Sequence, residues 1–223
     1  MKPIQIWKQI LASLLLLSTS LSLHAKDYEI EVILFTHTAG INQPSEQAVL
    51  RQIEPKRNGK YLGKKGSVRA LSRERYRMGG IARRLTSSPE YKVLKHIAWR
   101  QPALSKRQAY PIQIRAGKDY QGEFPTRSYR PVEFGDTTQS SGSRAVYELE
   151  GTLTVTVGRY LHIYSDLVYR LPQRAQYASA GFSNRVLADY HVKSHRRMRS
   201  KELHYVDHPI VGMIVGATPI EEE

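Results

Sequence analysis

Residues 147–170, YELEGTLTVTVGRYLHIYSDLVYR, restrict the fold more than any other part of the chain. Tyr147, Leu149, Leu153, Val155 and Val157 alternate with Glu148, Glu150, Thr152, Thr154 and Thr156. A period of two places one set on a buried face of a strand and the other on a polar face. Gly158-Arg159 reads as a two-residue hairpin turn, and the return strand alternates again through Leu161, Ile163, Leu167 and Tyr169. A helix cannot hold this pattern, so the chain must build an antiparallel sheet with one wet face.

The other segments extend that sheet. In DYEIEVILFTH (27–37), Ile30, Val32 and Leu34 share one face while Ile33 and Phe35 share the other. Apolar residues on both faces mark a central strand. YKVLKHIAWRQP (91–102), YPIQIR (110–115), strands near 185–198 and 202–206, and IVGMIVGATP (210–219) complete the set. Leu71, Met78, Ile81, Ala82 and Leu85 fall at helical spacing, with Ser67 as the expected cap and Pro89 as the stop. Gly79-Gly80 inside that helix would weaken it by about 2 kcal/mol. Polar, Gly/Pro-rich stretches at 37–66, 116–143 and 172–184 read as loops, the first with a short helix and the second long and mobile. The expected fold class is α+β: mainly antiparallel sheet with one principal helix packed on a face, two layers and a single domain.

Lys2 and Lys8, an apolar run at 10–17 and Ala25 closing LSLHA follow the order of a secretory signal peptide. The expectation is cleavage after residue 25, leaving residues 26–223 in the periplasm without stable membrane insertion. The chain contains no cysteine, which excludes a disulfide framework, a thiol nucleophile and a cysteine zinc site. The net charge is +14, or +12 once Lys2 and Lys8 are removed. Residues 51–130 hold 21 Lys/Arg against five acids. Such an excess would point to nucleic acid inside a cell; export argues against that ligand. Outside the inner membrane the abundant anions are lipid headgroups, lipopolysaccharide and peptidoglycan stem-peptide carboxylates.

No G-x-S-x-G, S-x-x-K or H-E-x-x-H motif occurs. The C-terminal region collects His191, His195, His204, Asp207 and His208, residue types that bind zinc, but at spacings that match no zinc peptidase. A metal-dependent cell-wall hydrolase using these histidines is one alternative reading, and a basic adaptor for acidic envelope proteins is another. RRMRSKELHYVDHP (196–209) is expected to be a strand closed by a turn at Asp207-His208-Pro209, with Tyr205 near the core and Arg197 and Arg199 at a wet end. The candidate ligand residues are Arg197, Arg199, His204, Tyr205, Asp207, His208, Trp99 and Arg100. Arginines would grip carboxylates, while tyrosines and Trp99 would stack on sugar rings. No catalytic residue, metal or cofactor is expected.

YEIEVILFTH, YKVLKHIAWRQP, GTLTVTVGRYLHIYSDLVYR and above all RRMRSKELHYVDHPIVGMIVGATP resemble, in this order, the CsiV-type periplasmic peptidoglycan-binding proteins of gammaproteobacteria. The resemblance implies a non-enzymatic envelope factor that binds the cell wall and supports cell shape. It further implies action on a class A penicillin-binding synthase through that enzyme's outer-membrane lipoprotein activator.

Overall fold

The structure, a computed structural model, describes residues 26–38, 53–124, 145–174 and 185–221. The expected signal peptide, and parts of the segments read as loops at 37–66, 116–143 and 172–184, lie outside them.

The described strands are β1 (Asp27–His37), β2 (Arg69–Ala70), β3 (Tyr91–Pro102), β4 (Ile112–Asp119), β5 (Tyr147–Val157), β6 (Leu161–Arg174), β7 (Arg185–Met198), β8 (Leu203–Val206) and β9 (Val211–Pro219). They form two antiparallel sheets. One has the order β2-β3-β1-β9-β8, the other β4-β5-β6-β7. The two-sided strand β1 lies at the centre of the first, as its sequence requires. Its Ile30, Val32 and Leu34 join Trp99, Val215 and Ala217 against Leu149, Leu153, Val155, Ile163 and Leu167 of the four-stranded sheet. The inner faces of the two sheets therefore share one core.

Ile33 and Phe35 point the other way and meet Met78, Ile81, Ala82 and Leu85. These belong to, or directly precede, helix α1 (Gly79–Ser87). The α+β class stands, but with three layers in place of two: helix, five-stranded sheet, four-stranded sheet. The helix is also shorter than its apolar spacing implied. Residues 69–78 instead form β2, a 3-10 turn at Arg73–Arg75 and an extended lead-in. Gly79 and Gly80 thus open α1, where glycine costs less than in a helix interior. The carboxylate of buried Glu31 accepts the backbone N–H groups of Arg77 (2.8 Å) and Met78 (2.9 Å), and the His96 Nε2 lies 2.7 Å from it. A strand carboxylate, not Ser67, holds the helix entry.

β5 and β6 pair from Leu149↔Tyr169 to Val157↔Leu161. Their connection is therefore the three residues Gly158, Arg159 and Tyr160, one more than the expected turn. Within β5, Gly151 has φ +146°, and a Cβ there would come within 2.2 Å of the Asp166 carbonyl oxygen. Only glycine lets β6 approach this closely.

The stretch 196–209 is not one strand. β7 ends at Met198, and Lys201 takes a left-handed φ of 66°. The chain then crosses from the four-stranded sheet to β8 at the edge of the five-stranded one.

Candidate functional site

Alternation in β6 and β7 sends Ile163, Leu167 and Val192 into the core and leaves His162, Tyr164, Asp166, His191, Lys193, His195 and Arg197 on the outer face. The β6–β7 register pairs His162 with Arg197, Tyr164 with His195 and Asp166 with Lys193. Cross-strand neighbours on one face are in contact. The Tyr164 and His195 rings lie parallel, 4.4 Å apart at 2°. His162 stands 5.1 Å from His195, its Nδ1 2.9 Å from the His195 Nε2. The Arg197 guanidinium sits 4.6 Å above the ring of Tyr160, and the Lys106 ammonium stands 5.9 Å over that of Tyr164. Beside this row opens a cavity of about 430 Å³, lined by Lys56, Thr154, Tyr164, Asp166, Lys193 and His195 among others.

This face has cations in excess. Asp166 is the acid in the row, and its Oδ2 accepts from Lys56 (2.8 Å) while its Oδ1 lies 2.8 Å from the His191 Nε2. Burial works to raise the Asp166 pKa, but these two hydrogen bonds outweigh it and keep the carboxyl ionised below its ordinary range. Among the described residues Lys106, Arg159, Lys193 and Arg197 have no acidic partner. His162 records the resulting field. Desolvation first, and then the charges of His195, Arg197 and Lys106, lower its pKa from the usual 6.5.

The basic stretch 51–130 looks different in three dimensions. Its cations reach across the fold to acids outside it: Arg57 and Arg115 to Glu150, Arg75 and Arg77 to Glu29, Lys92 to Glu148, Arg100 to Asp27. Part of the excess seen in sequence is thereby compensated. The unpaired cations of the outer face come mostly from 159–197.

The eight candidate ligand residues do not form one site. Arg197 lies on the outer face of the four-stranded sheet. Arg199 is in the turn after β7, with its Nη1 3.8 Å from Glu202. His204, Tyr205, Asp207 and His208 follow on β8 and its exit. There the His204 Nε2 accepts the Arg199 N–H (3.0 Å), the Tyr205 hydroxyl donates to Asp207 (2.6 Å), and the His208 Nδ1 accepts the Ile210 N–H (3.3 Å). Asp207 is thus engaged by a tyrosine two residues before it. Tyr205 is 46 % exposed and stacks on Phe35 at 13°, so it is not a core residue. Burial, followed by the Asp207 hydrogen bond and charge, pushes its phenol well above the usual range. Arg100 is half-buried against Asp27. Trp99 requires a correction. It is 0 % exposed in the shared core, with its indole N–H donated to Gln101 (2.8 Å), so no sugar ring can reach it. The histidines considered for zinc are divided too, His191 and His195 on one sheet and His204 and His208 on the other.

Sequence reading missed Lys106, Arg159, Tyr160, His162, Tyr164 and Lys193. A signal was present: the polar positions between Leu161, Ile163 and Leu167 name the outer row once the strand is recognised.

A larger cavity, about 670 Å³, opens on the outer face of the five-stranded sheet between the lead-in to α1 and β8. Its charges are matched internally, Arg75 and Arg77 with Glu29 and Lys201 with Glu221. It presents no uncompensated field to a charged ligand.

Among the described residues no helix is long and apolar enough to cross a membrane. No curated protein and no solved structure matches the chain. The model of one family, described as "Peptidoglycan-binding protein, CsiV", matches residues 9–220. With nearly the whole length matched, the chain belongs to the CsiV family of peptidoglycan-binding proteins.

Proposed function

We propose that residues 26–223 act in the periplasm as one non-catalytic domain that holds peptidoglycan on the outer face of β5–β7. In this reading the domain supports wall synthesis and cell shape by modulating a class A penicillin-binding synthase through its lipoprotein activator. Membership of the family supports the wall as ligand. The role in synthesis rests on what the resemblance implies, and the route to the periplasm on the order of charges and apolar residues in 1–25. One observation carries the choice of surface. Lys193 lines a ligand-sized cavity, and Lys106, Arg159 and Arg197 stand over the rings of Tyr164 and Tyr160 in the same region, while the acid in the row is already engaged by Lys56 and His191. Unpaired cations in fixed positions attract an anionic polymer without first breaking ion pairs of their own.

Co-sedimentation with purified, protein-free sacculi tests the surface. Lys106→Glu combined with Arg197→Glu is expected to cut retention about tenfold or more. The melting temperature should barely move, because both side chains are exposed and unpaired. Retention of the unaltered protein should fall as salt is raised. Unchanged retention of the double variant would move the site elsewhere, with the exposed Arg83 and Arg84 of α1 next in line.

A further inference from the structure

Peptidoglycan offers a protein two chemistries. Its sugar rings are neutral and have apolar faces, which proteins grip with open aromatic rings. Its peptide stems end in carboxylates, which proteins grip with cations. The aromatic rings of this face are already occupied. His195 lies flat against Tyr164, and Lys106 stands over the same ring. Tyr160 carries the guanidinium of Arg197 at 4.6 Å and that of Arg159 at 5.9 Å. Tyr61, 61 % exposed, carries Arg115 at 5.2 Å. Trp99 is enclosed.

A guanidinium stacked on a ring keeps its N–H edges free and loses little further freedom when it binds. Stacking therefore supplies fixed carboxylate donors and at the same time removes platforms for sugar. Inside the cavity Lys193 is unpaired beside the hydroxyl-bearing Thr152 and Thr154. The lowered pKa of His162 is consistent with a cluster that lacks its counter-anion.

We infer that this site reads the carboxylates of the stem peptide and not the glycan, with Arg197 and Lys193 as the contacting cations and Tyr160 as the support that orients Arg197. The inference rests on the reading that this face holds peptidoglycan.

Three ligands separate the two. Intact sacculi and free stem tetrapeptide are expected to bind, the peptide displacing protein from sacculi. Glycan strands stripped of peptide by an amidase should bind at least about tenfold more weakly than sacculi of equal mass. Arg197→Gln and Lys193→Gln should each weaken binding of the tetrapeptide. Tyr205→Ala, which alters an exposed aromatic without a cation on the opposite sheet, should leave it unchanged. Equal binding of stripped glycan and sacculi would overturn this inference while sparing peptidoglycan binding itself. Absence of binding to sacculi would overturn both.

Discussion

Glu150→Ala is expected to destabilise the protein by about 3–5 kcal/mol, the range found when one partner of a buried ionic cluster is removed. Glu150 is fully buried on the outer side of β5. Its Oε1 accepts from Arg57 Nε (2.9 Å) and Arg115 Nε (3.2 Å), and its Oε2 accepts from Arg57 Nη2 at 2.9 Å, with Arg170 Nη1 at 3.5 Å. Arg170 is as buried as Glu150, and also donates to the Tyr147 carbonyl (2.7 Å). Removal of the carboxylate leaves three guanidiniums converging with Asp189 as the nearest remaining acid, 3.7 Å from Arg170 Nε. The same cluster fastens the segment from residue 53 over the sheet, through Arg57 and through the Ile53 N–H bonded to Asp189 (2.7 Å). Denaturant unfolding at neutral pH measures the effect. A loss below about 1 kcal/mol would mean that Glu150 behaves as a surface ion pair, contrary to its burial.

Trp99→Ala should cost a similar amount, about 3–5 kcal/mol, for a different reason. The indole is the largest fully buried side chain and stands in the core shared by both sheets. Its deletion opens a cavity that neighbouring strands cannot close, and it strands Gln101, which also bonds the Val155 carbonyl across the sandwich. Trp99→Phe should recover part of the loss by refilling volume. At temperatures where the variants are folded, sacculus retention should match that of the unaltered protein. Reduced retention with unaltered stability would instead return Trp99 to the ligand surface.

These two residues illustrate what could be read from the chain and what could not. Alternation alone identified β5 and β6, and the two-sided pattern of Ile30 to Phe35 placed β1 at a sheet centre. Period-two patterning says which side of a strand is apolar, but not which sheet the strand joins. The gap between strands near 185–198 and 202–206 was legible, but for that reason the division of 196–209 between two sheets was not. The helix was over-extended because Leu71 shares the spacing of Met78 and Ile81, while the carboxylate that sets its start, Glu31, is 47 residues away. The basic region misled in the same manner. Its partners Glu29, Glu148 and Glu150 lie up to 93 positions distant, so local charge counting could not find them. Trp99 was read as a sugar platform because an aromatic residue in a strand gives no local sign of its depth. Arg197 lies in the proposed site, and the row around it follows from the strand pattern already recognised in β6.

The imidazole of His162 offers the most direct measurement of the account. In the free protein it titrates below 6.5, held there by desolvation and by the charges of His195, Arg197 and Lys106. A bound carboxylate supplies the missing negative charge and favours the protonated ring, so its titration midpoint must rise. By linkage the same ligand must bind more tightly as pH falls through the window below 6.5 in which His162 takes up its proton. Histidine resonances followed through a pH titration, without and with saturating soluble muropeptide, report this at a single site. The account predicts an upward shift for His162 together with tighter binding toward acid. Muropeptide bound with the His162 midpoint unmoved would contradict it, and would place the wall-binding surface off the outer face of β5–β7.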